Sequence, residues 1–194
     1  MDQATADIRD HASKNLRYIR EVMGRGGAFT VIPGRGIVLI GCTALAASWI
    51  ATTQPTPQRW MGVWIVELFL AVCIDVVTTN RKARTAGVTL GPPFRRFLLS
   101  FAAPLFAGGI LTILFHSLGL HSYLPSIWLL LYGTAIVTGG SFSVRVVSAM
   151  GVSFVVLSIA SLIIGPKVGN IAMVTGFGGL HIVFGLIIAR RFGG

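Results

Sequence analysis

The chain has 194 residues, 54% of them hydrophobic and 11% charged, with a formal net charge of +10. A soluble domain is about 25% charged, so an ordinary soluble globule is excluded. The apolar runs are continuous rather than alternating, which selects a bundle of helices over a β-barrel, the two folds that satisfy their backbone hydrogen bonds in lipid.

Residues 1–26 carry Ile8, Ala12, Leu16, Ile19 and Met23 at spacings of three and four, one apolar stripe on a helix. Arg9, Lys14, Arg17 and Arg20 occupy the other side. The spacing predicts a basic amphipathic helix that lies on an anionic membrane surface, packs on the protein's own loops or docks a partner. No cleavable signal peptide is expected, because these first residues are charged and lack an apolar core. Glycines at 24, 26 and 27 and the run Pro33-Gly34-Arg35-Gly36 end the segment.

Six spans of about 20 residues follow. The first lies within 36–58 and ends at the turn-rich QPTPQ; the second is 60–79. The uncharged run 97–144 is too long for one crossing and is divided by SLGLHSYLPS into spans near 97–116 and 124–143. The fifth is 146–164, closed by Gly165-Pro166, and the sixth is 168–189. The expected fold is therefore all-α, a polytopic membrane bundle of six transmembrane helices (31–194) behind an amphipathic segment (1–30).

Basic residues give the orientation. Of 16 Lys and Arg, only Arg59 and Lys167 fall on one side, so fourteen fall on the other. The positive-inside rule then puts both termini in the cytoplasm of a multi-pass protein of the cell inner membrane. With the basic residues setting topology, no nucleic-acid partner is expected. Trp49, Trp60, Trp64, Tyr123 and Trp128 all come near the outer boundary, as an aromatic belt would. Cys42 and Cys73 sit in apolar runs without CxxC spacing and read as small buried hydrophobes.

Short matches between the halves suggest an inverted repeat, 31–120 and 121–194. Met61-Gly62-Val63 resembles Met150-Gly151-Val152, and Gly41-Cys42-Thr43-Ala44 resembles Gly133-Thr134-Ala135. Transporters recurrently use such repeats, with sites at the repeat interface.

The candidate chemistry centres on the second span, which holds Glu67 and Asp75, two of only six acidic residues in the chain. A carboxylate at the bilayer centre costs about 2.5 kcal/mol or more, so it normally faces the bundle interior and marks function. Eight residues separate the two, about 80° and 12 Å on a helix, so both can line a wide cleft. Asp75, nearer the cytoplasmic end, can alternatively pair with Arg81, Arg96 or Arg145. His181, deep in the sixth span, falls at the depth of Asp75, which makes a His181–Asp75 hydrogen bond and an intramembrane proton relay conceivable. Glycines surround it in VTGFGGLHIVFG, so the sixth helix either packs tightly or unwinds there. The small pairs Ala172/Gly176, Thr175/Gly179, Ala135/Gly139 and Ala103/Ala107 are candidate helix seams, and Pro104 frees a backbone carbonyl. Arg81, Lys82, Arg84, Arg95 and Arg96, in RKARTAGVTLGPPFRR, are candidate contacts for anionic lipid or a protein partner, a second copy included. No metal site or cofactor is expected.

Two functions remain open on this reading: a small secondary transporter or channel-like protein using Glu67, Asp75 and His181, or a non-catalytic membrane subunit that docks a partner through its basic segments. An enzyme is the less expected class. Gly139-Gly140-Ser141 in the fourth span and His181 in the sixth resemble the rhomboid proteases, whose dyad pairs a fourth-helix serine with a sixth-helix histidine. The chain departs from that family's Gly-x-Ser-Gly at Phe142, and Ser141 lies about 10 Å in depth from His181.

Overall fold

A computed structural model of the protein describes residues 14–15, 32–87 and 91–193. Most of the expected amphipathic segment lies outside these residues. The described chain is helical, with no strand among the described residues, and forms six helices long and apolar enough to cross a membrane. They are α1 (Gly34–Thr52), α2 (Pro57–Thr85), α3 (Pro92–Ser117), α4 (His121–Gly140), α5 (Arg145–Ile164) and α6 (Pro166–Phe192). Each predicted span coincides with one of them, the fourth overrunning its helix by three residues beyond Gly140, and α2 and α3 extend further than expected into the basic segment between them. Thr56 caps α2, accepting from the Arg59 N–H at 3.3 Å, with Pro57 in the first turn. Gly165, at φ 107°, turns α5 into α6 in a backbone conformation that suits glycine.

Packing follows an order different from the chain's. α1 lies between α2 and α6, α4 lies between α5 and α3, and α6 also touches α4 and α5. The α1/α6 and α4/α5 seams are backbone-close because glycines stand at them. A Cβ on Gly41 would meet Ile182 Cγ1 at 2.7 Å, and one on Gly185 would meet Val38 N at 2.8 Å. In the other seam, Gly133 and Gly151 each press on the other's carbonyl. Of the small pairs expected from sequence, Gly176 and Gly139 are used, whereas Gly179 faces open space and Ala103 is exposed.

Buried polar groups tie the helices together. The Ser126 and Ser161 hydroxyls lie 2.8 Å apart, and Ser158 donates to the Ser126 carbonyl at 2.7 Å, joining α4 to α5. Pro104 cannot donate to the carbonyl four residues back, Ser100, and Thr138 of α4 donates to that oxygen at 2.9 Å. The proline thus supplies an acceptor that pins α3 to α4.

Lys82 performs the corresponding task at the basic face. Its ammonium donates to the carbonyls of Ile32 at 2.9 Å, Phe192 at 3.0 Å and Gly193 at 2.6 Å. The start of α1, the last turn of α2 and the end of α6 therefore meet at one face, where the cation also complements the α6 dipole. Lys82→Met retains the stem and loses all three bonds; the expected loss is about 1–2 kcal/mol, read as a lower unfolding midpoint in detergent.

Two expectations are corrected. Cys42 and Cys73 are exposed on the bundle's flank, because their helical phase points away from the α1 and α2 contacts. Trp60, Trp64 and Trp128 do not form a lipid-facing belt. They pack on one another inside the bundle, Trp60 stacked on Trp128 with ring centroids 5.5 Å apart, while Trp49 and Tyr123 are exposed.

Candidate functional site

α2 and α3 hardly touch, and the gap between them is a cleft of about 430 Å³ whose floor is made by α1, α4 and α6. Its walls are almost wholly apolar: Ile40, Leu68, Leu105 and Leu131 alternate with the rings of Trp64, Trp128, Tyr132 and Phe177. Ile65, Leu68 and Ile113 line it and are also exposed on the bundle's flank, so the mouth opens sideways, where lipid would lie. Among the described residues, no Lys or Arg lines the cleft.

Glu67 enters this space from α2. It is 7% exposed, and Thr43 Oγ1 of α1 lies 2.8 Å from its Oε1. The same hydroxyl lies 2.9 Å from the Ile40 carbonyl, three residues earlier on α1. Thr43 therefore suits either form of the side chain. A carboxylate accepts the Thr43 proton, whereas a carboxylic acid donates to Thr43, which then donates to Ile40. Trp64, one turn before Glu67, buries an indole N–H that has no acceptor among the described residues, a donor that a ligand heteroatom would satisfy.

His181 is buried across the cleft, and its Nε2 lies 2.6 Å from the Tyr132 hydroxyl of α4. Tyr132, Phe154 and Phe177 surround the imidazole, with ring centroids 5.4 to 6.0 Å away. The expected bond from His181 to Asp75 is not formed; tyrosine holds the ring instead. The sixth helix is not unwound beside it either. Residues Val174–Leu180 form a π-helical turn, which widens the backbone while keeping it hydrogen-bonded. Such turns frequently occur at functional sites. The glycines of VTGFGGL were the sequence signal for this irregularity.

Asp75 is exposed. It continues the α2 stripe of Trp64, Leu68 and Ala71 toward the basic face. Glu67 and His181 therefore share the cleft, and Asp75 stands on its basic-face side. At that face Arg81, Arg84, Arg95 and Arg96 are exposed, whereas Lys82 is engaged with the chain's own carbonyls. Ser141 ends α4 at that face and donates to the Thr138 carbonyl at 2.5 Å. It is nine residues, about 13 Å of helix, from the Tyr132 that His181 contacts. The serine–histidine dyad of the rhomboid resemblance is not assembled.

Sequence reasoning missed Thr43 as the partner of Glu67 and Tyr132 as the partner of His181, since nothing in either residue's own neighbourhood marks it. No family model matches the chain, and no curated protein or solved structure proves similar to it.

Proposed function

We propose that this protein is a small secondary carrier of the cell inner membrane, with the cleft between α2 and α3 as its solute site and Glu67 as the coupling group. One observation carries the reading: a buried carboxyl projects into a mostly apolar, ligand-sized cleft and is held by a hydroxyl that suits it with or without a proton. Buried ionisable groups in membrane helices mark ion and substrate pathways, and sites of this volume, mostly apolar with a few placed polar groups, are the usual form for small-molecule binding.

The packing supports the same reading. α1 with its neighbours α2 and α6 matches α4 with its neighbours α5 and α3, the pattern an inverted three-plus-three repeat produces. The gap that makes the cleft is the α2/α3 contact, whose counterpart, α5 against α6, is closed. Rocking of α2 and α3 against the glycine-tight remainder is the motion that would alternate access. The exposed arginines 81, 84, 95 and 96 support a cytoplasmic position for the basic face, against anionic lipid. The test is solute-dependent proton movement in proteoliposomes bearing a pH gradient. Proton flux that depends on an added solute, and on Glu67, is the expected result; its absence across solute classes, with the protein folded, removes the carrier reading.

A further inference from the structure

Resting on the carrier reading, the cleft's chemistry also names its ligand: we infer that the site takes an organic cation with an aryl or alkyl body, entering sideways from the bilayer between α2 and α3. Four aromatic side chains line the cleft, Trp64 and Trp128 among them, and the negative face of an indole is the best side-chain surface for an unsolvated cation. Glu67 supplies the counter-charge. Thr43 engages its Oε1, leaving the other oxygen for a ligand. Among the described residues no Lys or Arg lines the space to neutralise the carboxylate internally, and an organic anion would meet it uncompensated.

The apolar remainder excludes a small hydrated ion such as Na⁺. Such an ion needs several oxygens to replace its water, and among the described residues Glu67, Thr112 and the Tyr132 hydroxyl are the only oxygen-bearing side chains on the lining. Thr112 is moreover occupied by the Trp128 indole N–H at 2.8 Å, and Tyr132 by His181. A cation that carries its own greasy shell needs no such cage.

Entry from the side follows from the mouth. Ile65, Leu68 and Ile113 are 39%, 53% and 74% exposed at the edges of the gap. On the opposite side, the Trp60 ring stacks on Trp128 and its N–H donates to Asn170 at 2.9 Å, closing the route from the α1/α2, α3/α4 and α5/α6 turns. On binding, the proton of a neutral Glu67 leaves to water and the carboxylate pairs with the cation, so charge is conserved as one proton is exchanged for one monovalent ligand.

Tetraphenylphosphonium and tetraphenylborate are matched in shape and opposite in charge, and they test the inference on purified, detergent-solubilised protein by equilibrium dialysis. Saturable binding of tetraphenylphosphonium, little binding of tetraphenylborate, and a weakening of about 30-fold or more in Glu67→Gln is the expected outcome. Equal binding of the two ions by the unaltered protein overturns it and identifies an unselective cleft for lipid chains; that comparison needs no variant to fold. Glu67-dependent binding of the phosphonium without proton flux in liposomes would uphold the ligand class while removing the carrier. Proton flux driven by another solute, with no phosphonium binding, would remove the ligand class alone.

Discussion

Replacing Glu67 with glutamine is expected to reduce proton-coupled solute uptake to the level of empty liposomes while the protein still purifies as a monodisperse species. The amide matches the carboxyl in size, and its oxygen still accepts from Thr43, so the α1/α2 contact persists. What disappears is a group that alternates between holding a proton and holding a charge. Stability should stay the same or rise, since an uncharged side chain replaces an ionisable one in an apolar cleft. Glu67→Asp keeps the charge but withdraws it by one methylene, so residual uptake with a weaker apparent affinity is expected there. Thr43→Val removes the hydroxyl that serves both forms of Glu67, and a partial loss follows. Full activity in Glu67→Gln would place the coupling elsewhere, with Asp75 the next group on the same stripe of α2.

The contrast between Glu67 and Asp75 shows how far the sequence could be read. Six spans were legible because membrane insertion depends on summed apolarity over about 20 residues, a quantity contained in the sequence itself. A buried Glu67 was legible for the same reason: lipid penalises charge, and the residue is far from either end of its helix. The exposure of Asp75 was not, because α2 stands apart from α3 and leaves part of its inward stripe uncovered. That gap is a property of packing order, and the order is set by which glycines meet. Partners drawn from other helices were equally hidden: Thr43 is 24 residues from Glu67, and Tyr132 is 49 from His181. The tryptophans illustrate the opposite error. Their common level was read from their distance to the span ends, but such a distance says nothing about rotation, and Trp64 turns inward to 5% exposure.

The glycine seams carry the second large effect. Gly151→Leu is expected to abolish the folded bundle, with the protein lost to aggregation or recovered only with a much lower unfolding midpoint. A Cβ at Gly151 would stand 2.7 Å from Val137 N and 2.8 Å from the Gly133 carbonyl oxygen. Both are backbone atoms, so no rotamer change relieves the clash and α4 must move off α5. Crowding a packed interior costs about 1–3 kcal/mol when side chains can yield, and here the yielding element is a whole helix. Moving α4 would also part the Ser126 and Ser161 hydroxyls and break the Ser158 bond to the Ser126 carbonyl, leaving buried polar groups unpaired in a medium without water. Gly62 is the internal control. A Cβ there meets nothing within 4 Å, so Gly62→Ala should be neutral or stabilise α2 by about 0.5–1 kcal/mol through helix propensity. The same Met-Gly-Val triplet surrounds both glycines, so residue pattern alone would rank the two positions equally. Fluorescence-detected size exclusion after a heat step separates them: a midpoint unchanged in Gly151→Leu would mean that the close α4/α5 approach does not hold this bundle together.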